Sequence, residues 1–252
     1  MKKYIIGWII VKLMLLGAFG LFVFTGFPHS HFAQTTKSPT PTPETTDDKI
    51  DRATSNPFKG DLSRYDRENR AEKLQIDRVM DLLEITNGKK VADIGAGGGW
   101  FSAIASKRVG EKGKVYAVDI NVDAIEYINK RKEKDNLTNV EAVLGKTDAP
   151  LLKNKSIDAV LILNTYHEIA EPIIYLKNLK TSLKKGALVG IIDREGNGDD
   201  HGIDIETIVK EAAKAGFALK GQYDFVEGSM DYFLIFEIAK PKKDDLKKRE
   251  KQ

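Results

Sequence analysis

VADIGAGGGW, residues 91–100, is the stretch on which the reading of this chain turns. Four glycines fall between Gly95 and Gly99, broken only by Ala96, directly behind an apolar run. A short β-type run that stops in glycines is a strand entering a tight turn. Glycine carries no Cβ, so such a turn lets another molecule approach the backbone closely. The neighbouring residues decide which molecule.

Two phosphate ligands fail on spacing. The dinucleotide fingerprint G-x-G-x-x-G requires glycine at Trp100 when counted from Gly95, and at Ser102 when counted from Gly97. The loop G-x-x-x-x-G-K-[ST] lacks its Gly-Lys-Ser/Thr ending. What fits is [DE]-x-G-x-G-x-G, carried by Asp93, Gly95, Gly97 and Gly99. A carboxylate two places ahead of the turn would repel a pyrophosphate and attract a ligand with a cationic end.

Outward from this point, apolar runs alternate with helical patterns. Strand-like runs cover residues 89–96, 114–120, 140–145, 157–165 and 186–193. Between them, Phe101, Ile104 and Ala105 share one helical face, as do Val122, Ile125 and Ile128. Pro172 suits a first helical position, Asp204 an N-cap, and Gly216 a helix stop. Leu74, Val79, Leu82 and Leu83 predict a helix within residues 62–85. Residues 217–226 and 231–239 read as a closing antiparallel pair. Apolar strands alternating with helices define an α/β fold whose parallel sheet is covered on both faces. In such sheets ligands bind beyond the carboxyl ends of the strands, which is where the glycines fall.

Over residues 60–240 the chain resembles the class I S-adenosylmethionine (SAM)-dependent methyltransferases. The likeness is nearest to the branch that holds ubiquinone and menaquinone C-methyltransferases and many small-molecule enzymes. It implies a Rossmann-like, seven-stranded, mostly parallel sheet with helices on both faces and an antiparallel C-terminal hairpin. It also implies that Gly95, Ala96, Gly97 and Gly99 pass the amino-acid and ribose parts of SAM, and that Asp93 anchors the amino-acid end. Asp119 would take the ribose hydroxyls and Ile120 the adenine face. Asp148, with Thr147, would lie near the adenine amino group. LNTYHEI, residues 163–169, matches the motif where methyl group and acceptor meet. Asn164 is assigned to the cofactor, Tyr166 to substrate, and His167 to a catalytic role as base or orienting donor. Tyr65 and His201 are the remaining expected substrate contacts.

The ends of the chain carry a different message. From Tyr4 to Phe27 the chain is mostly apolar, with Lys12 its only charge. Residues 1–33 are therefore expected to be a transmembrane anchor or a cleaved signal peptide. Lys2 and Lys3 favour a domain outside the cytoplasm. Residues 34–57 form a Ser/Thr/Pro-rich spacer, residues 58–240 the methyltransferase domain, and residues 241–252 a charged tail.

Of the net charge of +3, much lies at the carboxyl end, where residues 240–252 hold seven Lys/Arg against three Asp/Glu. The domain itself carries no basic stripe, which argues against a nucleic-acid partner. There is no cysteine, which excludes disulfides and thiolate chemistry. No metal is expected, because the four histidines, His29, His31, His167 and His201, show no ligand spacing. The leading function is transfer of methyl from SAM to a small molecule, for which a lipid-soluble or quinone-like acceptor would suit a membrane location. The alternative is a membrane-tethered SAM-binding or catalytically inactive module serving a partner protein. A nicotinamide dehydrogenase is disfavoured by the failed fingerprint. Oligomeric state is not legible.

Overall fold

In the computed structural model, residues 52–198 and 200–240 are described. The expected anchor or signal, most of the spacer and the charged tail lie outside them. Among the described residues no helix is long and apolar enough to cross a membrane.

The alternating pattern folds as the spacing requires. The strands are β1 (Lys90–Ile94), β2 (Lys114–Asp119), β3 (Val140–Leu144), β4 (Ile157–Leu163), β5 (Leu183–Asp193), β6 (Phe217–Tyr223) and β7 (Tyr232–Ile238). The helices are α1 (Arg70–Lys73), α2 (Ile76–Leu82), α3 (Trp100–Val109), α4 (Val122–Lys134), α5 (Pro172–Ser182) and α6 (Ile205–Lys214). The strands make one sheet in the order β3-β2-β1-β4-β5-β7-β6. β1 to β5 pair in parallel, and β7 pairs antiparallel with both β5 and β6. The expected seven-stranded, mostly parallel sheet with an antiparallel C-terminal pair is the observed one.

Successive strand residues point to opposite faces, so each face builds its own core. Val91 of β1 belongs to the core under α2 and α3, with Val79, Met80, Leu83, Phe101 and Ala105. Ala92 and Ile94 belong to the core under α5 and α6, with Ile173, Leu176, Leu179, Ile208 and Ala212. Asp93 shares the face of Val91 and so meets α3, where the Ser102 hydroxyl donates to its Oδ2 at 2.6 Å. β2 lies on one side of β1 and β4 on the other, so the strand order reverses at β1 and opens a crevice at its carboxyl end.

The expected helix at 62–85 is broken into three pieces. A 3-10 turn, Leu62–Asp66, precedes α1 and α2. Asn69 (φ 67°) and Gln75 (φ 45°) are left-handed between the pieces. Of the apolar positions, Val79 is buried in α2 with Ile76 and Met80, Leu74 and Leu83 are buried at its two ends, and Leu82 is half-buried. The two left-handed residues turn the earlier part back over the glycine turn, where the Leu62 carbonyl packs beside Gly98.

Residues 52–57, assigned to the spacer from composition, lie against the domain. Arg52 Nε donates to Glu211 of α6 at 2.8 Å, with both side chains almost wholly buried. The Tyr166 hydroxyl donates to the same carboxylate at 2.9 Å. Ser55 donates from N to the His167 carbonyl at 3.2 Å and from Oγ to the Gly198 carbonyl at 2.7 Å. Removing one partner of a buried ion pair strands the other in a low-dielectric interior. Arg52→Ala should therefore cost about 3 kcal/mol and lower the melting temperature by roughly 6–12 °C. A calorimetric midpoint within roughly 2 °C of wild type would show that this segment contributes little to stability.

Candidate active site

The crevice holds a cavity of about 320 Å³. Its floor is the glycine turn after β1, joined by Asp119–Asn121 after β2, Lys146 and Thr147 after β3, and Leu163–Thr165 after β4. Phe58, Leu62, Tyr65, Arg70 and Trp100 wall one side, and Glu168, Ile169 and Tyr175 another.

Gly95 and Gly97 serve different ends. At Gly95 (φ 69°) a Cβ would come within 2.2 Å of Thr165 Cγ2. That glycine is required by the protein's own packing between β1 and β4. At Gly97 (φ 52°) the nearest side chain to a Cβ is Tyr65, at 3.9 Å. A Cβ there would enter the cavity, so this glycine preserves space for a ligand. Gly99 is the N-cap of α3 and packs toward Ile128 rather than lining the cavity.

Three features grade the cavity from one end to the other. At the first end, Asp93 is only 2 % exposed. Burial raises its pKa to about 6, against the stabilising Ser102 hydroxyl and the nearby Arg70 guanidinium. Arg70 stacks on the Trp100 ring at 4.3 Å and donates to the Tyr65 carbonyl at 3.2 Å. An anion and a cation thus stand side by side at the wall, complementary to a zwitterion. In the middle, Asp119 accepts from the Gly97 N–H at 2.8 Å and the Asn121 N–H at 2.9 Å. Burial raises its pKa while these N–H donors lower it. A carboxylate has about four lone-pair sites, so both oxygens keep capacity for a diol. Beyond it, Ile120 is 43 % exposed, an apolar plate with Thr147 nearby.

The expected residues divide accordingly. Asp93, Gly95, Ala96, Gly97, Asp119, Ile120, Thr147, Asn164 and Tyr65 line the cavity. Asn164 is held left-handed (φ 53°), with its N–H donating to the Ile192 carbonyl at 2.7 Å. Asp148 does not line the cavity; its carbonyl accepts from Asn178 Nδ2 at 2.8 Å. Tyr166, expected to touch substrate, is turned away into the core with its hydroxyl on Glu211. Arg70, Glu168, Trp100 and Tyr175 line the cavity without having been singled out as site residues.

His167 is 1 % exposed and stands behind the cavity wall. Its Nδ1 lies 2.9 and 3.0 Å from the two carboxylate oxygens of buried Asp193, at the end of β5. A carboxylate can only accept, so Nδ1 carries the proton. Its Nε2 faces Glu168 Oε1 at 3.9 Å. Glu168 lines the cavity, and burial pushes its pKa up to about 7 despite His167 and the Phe58 N–H. His201, on the loop after β5, does not line the cavity, but its ring centroid is 5.6 Å from that of His167. Among the described residues, two of the histidines come together with a carboxylate. His167, Glu168 and His201 offer one ligand atom each, all within 4.8 Å of one another. Thirty-four positions separate the two rings in sequence, which is why spacing did not reveal them.

A zwitterion pair, a diol-seeking carboxylate and an apolar plate, set at the point where strand order reverses, define a site for an aminoacyl nucleoside rather than a dinucleotide. The chain belongs to the methyltransferase domain family, whose pattern matches residues 85–223. That domain is of the class I SAM-dependent type. The crystal structure of a SAM-dependent methyltransferase from Aquifex aeolicus is 26% identical with a TM-score of 0.65, covering 72% of this chain and all of that one. The "Probable cobalt-precorrin-6B C(15)-methyltransferase (decarboxylating)" of Sulfolobus acidocaldarius is 39% identical over 103 residues, 40% of this chain and 52% of that protein. The protein-L-isoaspartate O-methyltransferase of Methanococcoides burtonii is 28% identical over 95 residues, 38% of this chain and 47% of that protein. The chain thus spans about half the length of these curated relatives.

The residues present fit SAM: Asp93 and Arg70 would hold its ammonium and carboxylate, Asp119 its ribose diol, and Ile120 its adenine. Bound ammonium favours ionised Asp93, whose free pKa is about 6. SAM affinity should be flat at pH 7–8 and fall below pH 6, approaching about tenfold per pH unit. Asp93→Asn should weaken binding and flatten that limb. Calorimetric titration from pH 5 to 8 measures both, and an unchanged pH profile in the variant would remove Asp93 from the ammonium.

Proposed function

We propose that the enzyme methylates a small, lipid-soluble acceptor of quinone-like character, at a membrane that residues 1–33 reach. The observation that carries this reading is the apolar, aromatic wall of the cavity. Phe58, Leu62, Tyr65, Trp100, Ile169 and Tyr175 line it together with the carboxylates of Asp93, Asp119 and Glu168. Pockets that bury small molecules are lined in this way, with a few polar groups fixing orientation. The names of the relatives include both a precorrin and a protein isoaspartate acceptor, so the family supplies either class.

SAM supplies a methyl group on a sulfonium, whose leaving group is already activated. The chain's work is alignment and exclusion of water, which can supply several kcal/mol. Asp93, Arg70 and Asp119 fix the donor. Thr165 and Glu168 mark the acceptor side of the cavity. His167, held by Asp193 behind the wall, acts as a positioning residue for Glu168, whose Oε1 lies 3.9 Å from its Nε2. The apolar run from Tyr4 to Phe27, preceded by Lys2 and Lys3, supports attachment with the domain outside the cytoplasm. A reporter fused at the carboxyl terminus tests that side.

The deciding experiment gives full-length enzyme methyl-tritiated SAM with a short-chain demethylated quinone, an isoaspartyl peptide, or neither. Label should enter the organic phase with the quinone. Label entering only the peptide would overturn the acceptor class. Gly97→Ala should reduce SAM affinity about tenfold, or about 1.4 kcal/mol, since its Cβ enters the space the glycine keeps open. Unchanged affinity in that variant would mean that SAM does not approach this turn.

A further inference from the structure

We propose that His167, Glu168 and His201 bind a divalent transition-metal ion of the zinc class at the edge of the SAM cavity. The three donors come from two separate segments. His167 and Glu168 lie on the 3-10 turn after β4, and His201 on the loop after β5. Their ligand atoms lie within 4.8 Å of one another, close enough for one ion to bridge.

The support behind His167 is that of a metal-ligating imidazole. Asp193 takes the Nδ1 proton through both oxygens at 2.9 and 3.0 Å, and is itself fully buried. That fixes the tautomer and leaves the Nε2 lone pair on the side of Glu168 and His201. A carboxylate behind a histidine raises its basicity and sets its ring orientation.

His201 is held in place from outside its own loop. Its N–H donates to Ser55 Oγ at 2.9 Å, and Ser55 N in turn donates to the His167 carbonyl at 3.2 Å. Arg194 Nε donates to the His201 carbonyl at 2.6 Å. One serine therefore ties both histidine-bearing segments together. His201 also sits at φ 62°, a conformation that non-glycine residues seldom adopt unless the surroundings impose it.

Two imidazoles and one carboxylate match the donor set of catalytic zinc sites, which leave a fourth position open. Imidazole donors favour zinc, copper, iron or nickel over magnesium or calcium. Glu168 lines the cavity, so an oxygen atom of the acceptor can take the open position. Only that last clause rests on the proposed methyl acceptor; metal binding stands on its own geometry and is measured without SAM or acceptor.

The test uses full-length protein stripped with a chelator and titrated calorimetrically with Zn²⁺, then with Co²⁺ for its visible spectrum. One equivalent should bind, and His201→Ala, on an exposed loop, should lose at least tenfold in affinity with an unchanged circular dichroism melt. Asp193→Asn should weaken binding by about 10–100-fold. A protein with His29→Ala and His31→Ala should keep the site. The proposal is overturned if Zn²⁺ fails to bind, if it binds wild type and His201→Ala alike, or if it disappears with His29 and His31.

Discussion

The Asp119 carboxylate joins the two strand ends on which the cavity depends. It accepts the Gly97 N–H from the turn after β1 and the Asn121 N–H from the turn before α4. Without that acceptor, two backbone donors in a partly buried crevice would lack partners, a cost comparable to a lost hydrogen bond for each. The glycine turn would then have nothing to hold its open shape. The same carboxylate lines the cavity, so the group that organises the floor also faces the space a ligand would take. Burial raises its pKa, and its backbone donors oppose that. Those two N–H groups hold it in register before any ligand arrives.

The part of the cavity lined by the ends of β1 and β2 was legible because it is local. Asp93, Gly95 and Gly97 lie within five consecutive residues, and Asp119 and Ile120 directly end the next strand. Where the apolar runs stop fixes the strand ends and so the residues that line the crevice, and that can be read from one sequence. Gly95 is an instructive exception in its cause. It resembles a ligand contact in the motif, yet its lack of a Cβ answers to Thr165.

The acceptor half was legible only in part, because it is assembled from distant segments. Tyr166 and His167 are neighbours, but the 3-10 turn sends one to Glu211 and the other to Asp193. Sequence order alone does not say which way each points. The segment 62–85 has helical apolar spacing, and nothing in that spacing forecasts left-handed residues at Asn69 and Gln75. Those breaks carry Leu62, Tyr65 and Arg70 to the cavity. The Ser/Thr/Pro composition upstream similarly hid the role of Arg52 and Ser55, since a few specific hydrogen bonds leave no compositional trace.

The position of that upstream segment has a mechanical side. Thr54, Ser55, Asn56 and Pro57 line the cavity, and Arg52 is clamped to α6 just before them. Residues 52–57 thus join the domain at the rim of its cavity. A pull on this segment is borne first by the Arg52–Glu211 clamp. If the clamp yields, the next bonds to feel it are those of Ser55, which set the spacing of the two histidines.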